Sequence, residues 1–242
     1  MEVYKAVRAQ FLPTPSKCHY LFNLRDFARV VRGVLLVPAA RLRDLPKLVL
    51  LWLHEACRVF GDRLLDDSDR IKLFDVIYKA VYANYRVHLD QVMTETGYVP
   101  EGEKCSHEHA ANVFFGNYME PDADPKIYDQ VMDLEDMAVK MEYYLEEYNA
   151  VSSSPMALVM FRYALDHVSR CGRVLLQDNG TFAQAVADPG GVKGISKRFF
   201  AYLSHVISKR EIRRNLDTQI ANLPNPSQQH PACPILVPNR AV

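Results

Sequence analysis

The fold is decided by residues 19–70, which open His19-Tyr20-Leu21-Phe22-Asn23-Leu24-Arg25-Asp26-Phe27. The stretch continues Leu51-Trp52-Leu53-His54-Glu55-Ala56-Cys57-Arg58-Val59-Phe60-Gly61-Asp62-Arg63-Leu64 and closes on Asp69-Arg70. Three runs of apolar residues at helical spacing lie within it. We therefore predict three amphipathic helices that are joined by short turns and bury one face each.

The first of these helices is predicted to begin at Asn23. Asparagine is a favourable N-cap, and Asp26 in the first turn suits the positive end of the helix dipole. Arg25 falls on another face of the helix than the apolar residues. The predicted buried face consists of Leu24, Phe27, Ala28, Val31, Val34 and Leu35.

The second helix is predicted from about Leu45 to Phe60, with Gly61 as its stop. It is apolar almost all round as far as Leu53, so we expect it to lie between neighbouring elements. The third helix is predicted to start with Ser68 as its N-cap. Its apolar residues are Ile71, Phe74, Tyr78, Val81, Tyr82 and Tyr85.

The remaining segments complete an all-α prediction. Residues 1–11 are predicted to form a short helix, which ends at the two prolines of residues 12–15. Residues 94–126 are predicted to be a loop region. A fourth helix runs from about Asp133 to Tyr148. A fifth, capped by Ser154 with Pro155 in its first position, runs to about Leu176. The proline-rich end of the chain is expected to be disordered.

Composition restricts the class of protein. Of the 242 residues, 49% are hydrophobic and 24% are charged, and the formal net charge is zero. No broad attraction to nucleic acid or anionic membranes is expected. The five cysteines are scattered, which is typical of free thiols in a reducing compartment. With no apolar signal core and no run long enough to span a bilayer, we expect a soluble intracellular protein.

Three groups of residues could carry chemistry. His54-Glu55 resembles the start of a zinc-protease helix, but the second histidine is missing, which favours a polar stripe on a packed helix. The segment Cys105-Ser106-His107-Glu108-His109 has no second ligand pair at a useful distance, so we expect no metal site there. Asp166-His167 is interpreted as a surface or interface contact.

Nucleotide chemistry is not supported by the residues themselves. A phosphate-binding loop needs glycine followed by lysine and a hydroxyl residue, and no glycine of this chain precedes a lysine. The glycine-rich residues 190–194 have the wrong spacing, and no acidic pair closes an apolar strand. The basic residues 193–214 are interpreted as a solvated helical face rather than an RNA-binding site.

Several motifs nevertheless resemble dynein heavy chains, in order and in spacing. The matching segments are residues 12–26, 52–55 with 58–64, 115–121 with 126–128, 144–149, and 156–161. The resemblance covers about residues 1–178, and Asn-Leu-Arg-Asp-Phe at positions 23–27 is closer to the axonemal than to the cytoplasmic pattern. It implies the end of a large AAA+ subdomain and hinge in residues 1–18. It further implies a helical lid in residues 19–130, the lid of the third AAA+ module.

The resemblance also implies a function and a site. Residues 131–178 would be a linker helix and the first helix of the fourth module, and residues 179–242 a divergent, disordered tail. The expected protein is a fragment of the ATP-driven, minus-end-directed microtubule motor of cilia and flagella, located in the axoneme. Its partners would be the rest of the heavy chain, intermediate and light intermediate chains, and microtubules, with no membrane and no nucleic acid.

Arg25 occupies the position of the family's second-sensor arginine, which reaches the nucleotide phosphates. A permanently charged, planar guanidinium suits that contact. ATP and magnesium are implied for the full-length protein only, and we expect no catalytic residue, no metal site and no ATP hydrolysis in this chain alone. The alternative is a helical interaction protein without a nucleotide role.

Overall fold

The computed structural model describes residues 1–123, 125–153 and 155–176. The chain divides into two compact units: the first comprises Met1–Phe115, and the second begins at Gly116. The described part of the first unit contains α1 (Glu2–Gln10), α2 (Leu24–Val34), α3 (Leu45–Phe60), α4 (Asp67–Tyr85), α5 (Leu89–Glu95) and α6 (His107–Ala110). Single 3-10 turns cover Pro15–Lys17, Ala39–Arg41 and Gly61–Arg63.

The second unit contributes α7 (Leu134–Val151) and α8 (Arg162–Leu176). The only strands among the described residues are β1 (Phe114–Gly116) and β2 (Asp129–Val131), each three residues long. The described structure is therefore helical, as predicted. No helix in the described ranges combines the length and the apolar composition that a membrane crossing needs. The predicted disordered tail lies outside these ranges.

Helix α3 is the centre of the first unit. It has the predicted bounds, Leu45–Phe60, and packs against α2, α4, α5 and α6. Its side chains at Val49, Leu50, Leu51 and Leu53 are completely buried. The prediction that this helix lies between neighbours is confirmed, because a helix that is apolar almost all round must be covered on most of its circumference.

Helix α2 buries a different face from the predicted one. Its buried residues are Asp26, Val30 and Gly33. The predicted core residues Leu24, Val31 and Leu35 are instead 61%, 43% and 75% exposed. The apolar residues of α2 spread over a wide arc, and spacing alone does not tell which part of such an arc faces the core. The prediction was wrong because a buried carboxylate and a glycine make the contact.

The start of α4 also differs from the prediction. The helix begins at Asp67 with Asp66 as its N-cap, so Ser68 lies inside the first turn and is not the cap. The chain there carries three aspartates in four positions, all suited to a helix N-terminus. At its other end α4 stops at Arg86, whose left-handed backbone (φ 58°, ψ 27°) closes the helix.

Residues 94–126 contain more regular structure than predicted. The end of α5, the short helix α6 and the strand β1 all lie within them. Asp90 of α5 organises this region, since it accepts hydrogen bonds from the Tyr78 hydroxyl and from the Cys105 backbone N–H, the latter at 2.7 Å. Such contacts between distant residues fix a loop without leaving a periodic pattern in its sequence.

The second unit is built around α7 and α8. Helix α7 starts after Asp133, whose side chain accepts a hydrogen bond from the Glu135 N–H at 2.8 Å, and it buries Met137, Met141, Tyr144, Leu145 and Tyr148. This matches the predicted fourth helix. The fifth helix, however, begins at Arg162 rather than at Pro155. The proposed cap Ser154 lies outside the described residues.

Candidate functional site: the first turn of the second helix

The first turn of α2 is held by a reciprocal pair of hydrogen bonds. The Asn23 side chain accepts from the Arg25 backbone N–H at 2.9 Å, and the Asn23 N–H donates to the Asp26 carboxylate at 2.9 Å. This capping box satisfies two donors that a helix N-terminus otherwise leaves open. The turn that carries the predicted site residue is thus ordered by its own side chains, as the sequence indicated.

Arg25 lies in this turn and is exposed. Its backbone is fixed by Asn23, yet its guanidinium makes no hydrogen bond or ion pair with any residue of the described part of the chain. A fixed backbone with an uncommitted guanidinium is an arrangement that can receive an anion, because no existing ion pair has to be broken.

Asp26, the next residue, is 1% exposed and forms the centre of an ionic cluster. Arg63, from the 3-10 turn between α3 and α4, donates to both of its oxygens, at 2.5 Å and 3.1 Å. Arg29 of α2 also donates to Asp26, at a longer 3.3 Å. A buried carboxylate is tolerated only when its charge is paired and hydrogen-bonded, and the two-pronged contact with Arg63 meets that requirement.

Arg63 also contacts the segment that leads into α2. Its guanidinium donates to the Leu21 carbonyl at 3.3 Å and lies 5.6 Å from the centre of the Phe22 ring. Its own carbonyl is 2.9 Å from His19 Nε2. Arg63 therefore connects residues 61–70, the corner between α3 and α4, to four residues of the segment 19–26.

A second polar group joins the same two segments. The Tyr20 hydroxyl donates to Asp69 at 3.1 Å and accepts from the Leu65 N–H at 2.9 Å. Lys17 donates to Asp69 at 2.5 Å and is paired with Asp66 at 2.6 Å. The segment before α2 is thus attached to the α3–α4 corner along its length.

These contacts shift the protonation equilibria of the residues involved. Burial by itself raises the pKa of Asp69, but the hydrogen bonds from Lys17 and Tyr20 outweigh it and hold the pKa below its ordinary value. The hydrogen bonds to Asp66 and Asp69 raise the pKa of Lys17. Burial raises the pKa of the Tyr20 hydroxyl. Asp69 and Lys17 are therefore both charged, and Tyr20 is neutral, near pH 7.

The other candidate residues have structural roles. His54 and Glu55 are buried in α3, at 3% and 0% exposure, and His54 Nδ1 is 2.7 Å from the Val113 carbonyl. This agrees with the prediction of polar residues on a packed helix. His109 Nδ1 accepts from the Ser106 N–H and closes the cap of α6. In the described ranges no three histidine, cysteine or acidic side chains are arranged to hold a metal ion.

The pair Asp166-His167 is also accounted for. Asp166 is bound by Arg170 one turn later in α8, at 2.5 Å and 3.0 Å. Burial lowers the pKa of His167, so this histidine is neutral near pH 7. The ion pair of Asp166 with Arg170 stabilises its own helix.

Reasoning from the sequence missed the partner of Asp26. Arg63 lies 37 positions away, and nothing in the local pattern connects the two. No signal in the sequence indicated this pairing, because an aspartate at the N3 position is already explained by the helix cap.

Comparison with known proteins gives a consistent result. Residues 1–96 match the AAA+ lid domain. Dynein axonemal heavy chain 3 of Mus musculus is 42% identical over 213 residues, which is 88% of this chain and 5% of that protein. Dynein axonemal heavy chain 12 of Rattus norvegicus is 38% identical over 183 residues, or 74% of this chain and 6% of that protein. Dynein axonemal heavy chain 1 of Homo sapiens is 35% identical over 178 residues, which is 74% of this chain and 4% of that protein.

Two points follow from these lengths. A match of 213 residues cannot be contained in residues 1–178, so the similarity to heavy chain 3 extends further along the chain than the motifs indicated. The chain also spans only about 5% of the length of these relatives.

Residues 1–96, which contain α1 to α5, are an AAA+ lid domain. Within the AAA+ proteins, the chain belongs to the axonemal dynein heavy chains.

Proposed function

We propose that the chain is part of an ATP-driven microtubule motor of cilia and flagella, in which it forms the lid of the third AAA+ module and the start of the fourth. Arg25 is proposed as the second-sensor arginine of that lid. The observation that carries the proposal is the combination at Arg25 of a capped, ordered backbone and an exposed guanidinium that has no partner among the described residues.

The residues present fit a contact with a nucleotide but not its complete binding. Arg25 supplies a permanent positive charge with several donors for phosphate oxygens. The sequence supplies no phosphate-binding loop and no acidic pair for magnesium. When bound to the rest of the module, ATP with magnesium supplies the phosphoryl chemistry. This chain would contribute the guanidinium contact and, through it, link the position of the lid to nucleotide occupancy.

The proposal extends to location and partners. The motor would act in the axoneme, as minus-end-directed dynein. The chain would adjoin the remaining segments of the heavy chain, while intermediate chains, light intermediate chains and microtubules would be partners of the assembled motor. These assignments are supported by the names and similarity of the relatives.

The test is Arg25→Ala in the intact heavy chain. The expected result is a loss of nucleotide affinity in the module that carries this lid, of roughly tenfold to a hundredfold, which is the effect of losing one hydrogen bond between charged groups. The matched control is Arg32→Ala, an exposed arginine of the same helix two turns further on. Affinity would be measured with a fluorescent ATP analogue.

Thermal stability of the same variants separates the possible outcomes. Unchanged affinity and unchanged stability for Arg25→Ala would make Arg25 an ordinary surface residue and would contradict the proposal. Loss of stability would place Arg25 in the packing of the lid. An equal loss of affinity for Arg32→Ala would indicate a general electrostatic effect rather than a specific contact.

A second candidate function is a helical interaction protein without a nucleotide role. It is favoured by the exposed apolar row on α2, in which Leu24, Val31 and Leu35 are 61%, 43% and 75% exposed. Under this hypothesis Leu35→Glu would weaken binding of the partner protein that this row contacts, while Arg25→Ala would leave nucleotide affinity unchanged.

A further inference from the structure

We infer that Arg63 is a positioning residue, which fixes the first turn of α2 and thereby the direction in which Arg25 is presented. The inference rests on the proposed function of Arg25. Arg63 itself does not contact the nucleotide under this proposal. It acts through Asp26, the residue that follows Arg25 in the chain.

The contact between Arg63 and Asp26 is the first step. Both nitrogens at the end of the guanidinium donate to the carboxylate, at 2.5 Å and 3.1 Å. A contact made at two points fixes the orientation of the carboxylate as well as its distance, which a single hydrogen bond does not. With Asp26 only 1% exposed, water cannot replace the lost contact.

The second step connects Asp26 to the backbone of Arg25. Asp26 accepts from the Asn23 N–H, and the Asn23 side chain in turn accepts from the Arg25 N–H. The carboxylate that Arg63 holds is therefore half of the capping box that orders the turn. A rotation of this carboxylate would open the cap and release the backbone from which the Arg25 side chain extends.

The third step concerns the approach to the helix. Arg63 also donates to the Leu21 carbonyl and lies against the Phe22 ring. The chain is thus held on both sides of the cap by the same guanidinium. Arg29 also donates to Asp26, but at a longer 3.3 Å and from a side chain that is 48% exposed.

The experiment is a double-mutant cycle in the intact heavy chain with Arg25→Ala, Arg63→Lys and the double variant, in which nucleotide affinity is measured for each. Lysine keeps the positive charge beside Asp26 but lacks the two-pronged geometry. We expect Arg63→Lys alone to weaken nucleotide binding by about threefold to tenfold, within the range of couplings between residues of one network. In the Arg25→Ala background it should cause no further loss.

The matched control is Arg70→Lys. Arg70 belongs to the same corner and is similarly engaged, with Asp67 at 2.6 Å and the Leu64 carbonyl at 3.0 Å, but it does not contact α2. Any general weakening of the corner should appear in both lysine variants as a change in thermal stability. Only Arg63→Lys should change the affinity.

The outcomes distinguish the two proposals. If Arg25→Ala weakens binding and Arg63→Lys does not, or if Arg63→Lys causes the same loss with and without Arg25, the positioning role is wrong and the function of Arg25 stands. The same holds if Arg70→Lys weakens binding as much as Arg63→Lys. If Arg25→Ala has no effect on binding, the proposed function fails and the positioning role fails with it.

Discussion

The carboxylate of Glu55 in α3 occupies the space beside Gly33 of α2 in which any other residue would carry its Cβ. A Cβ built on Gly33 would lie 1.7 Å from Glu55 Oε2 and 2.2 Å from Cδ. Both residues are buried. Helices α2 and α3 can pack at this distance, with an acid between them, only because position 33 has no side chain.

Gly33→Ala is therefore expected to destabilise the first unit. Alanine is the better helix former by about 1 kcal/mol, but forcing an extra carbon into a filled interface costs about 1–3 kcal/mol. The Glu55 carboxylate is completely buried, so it cannot move into water without opening the interface. We expect a net loss of up to about 2 kcal/mol in the free energy of unfolding. Fluorescence of Trp52, the single tryptophan of the chain, reports on α3 during denaturant unfolding.

Gly61→Ala is the matched control. A Cβ at this position would meet the Leu73 side chain at 3.4 Å, an ordinary contact, and the backbone at φ −70° suits any residue. The substitution should be neutral or stabilise by up to about 1 kcal/mol, because it reduces the entropy of the unfolded chain. Equal destabilisation by both alanines would contradict a special role for the space beside Gly33.

Arg86→Gly should stabilise the first unit. Arg86 ends α4 in the left-handed region, at φ 58°, where its N–H donates to the Tyr82 carbonyl at 3.0 Å. Glycine adopts this conformation without the steric penalty that a side chain brings. We expect a gain of roughly 0.5–1 kcal/mol in the free energy of unfolding. Arg86→Ala keeps the steric penalty of the left-handed backbone and should give no such gain. A decrease in stability for Arg86→Gly would show that the contacts of the Arg86 side chain matter more than its backbone conformation.

The contacts of Asp69 with Lys17 and Tyr20 should make the free energy of unfolding depend on pH in a defined way. The pKa of Asp69 is lowered in the folded state, so its charge contributes stability above the ordinary value of about 3.9, and this contribution is lost as pH falls through the lowered pKa. The difference in unfolding free energy between the wild type and Asp69→Asn should be constant near neutral pH and shrink below about pH 4. Asp75→Asn, at an exposed position of the same helix, is the control substitution. A pH-independent difference for Asp69→Asn would contradict the role of its charge.

Tyr118 and Ser169 should behave as a coupled pair in the second unit. Their hydroxyl oxygens are 3.0 Å apart and both residues are buried, at 2% and 4% exposure. Tyr118→Phe leaves the Ser169 hydroxyl without this contact and should cost about 1–3 kcal/mol. Adding Ser169→Ala removes the hydroxyl that lost this contact, so the double variant should recover part of the lost unfolding free energy.

Hydrogen exchange of the α8 amides measures this effect in the second unit alone. Tyr163→Phe is the control, because Tyr163 is 66% exposed and its hydroxyl should contribute nothing. Additive losses for Tyr118→Phe and Ser169→Ala would show that the two hydroxyls do not depend on each other.

The local features of this chain could be predicted from its sequence. The bounds of α3, the cap at Asn23 with Asp26, and the helix after Asp133 all depend on residues within a few positions of one another. Helix periodicity and capping chemistry act over this range, and so they are visible in the order of the amino acids. The family could also be recognised, because its motifs are short continuous segments.

Tertiary structure alone decided which parts of those helices are covered and which charges meet. The apolar arc of α2 did not reveal that Asp26 and Gly33 face the core while Leu24 and Leu35 do not. The pairing of Asp26 with Arg63 joins positions 37 apart, and the fit of Glu55 against Gly33 joins positions in two different helices. Burial and ion pairing depend on which surfaces approach in three dimensions, and a one-dimensional pattern does not encode that approach.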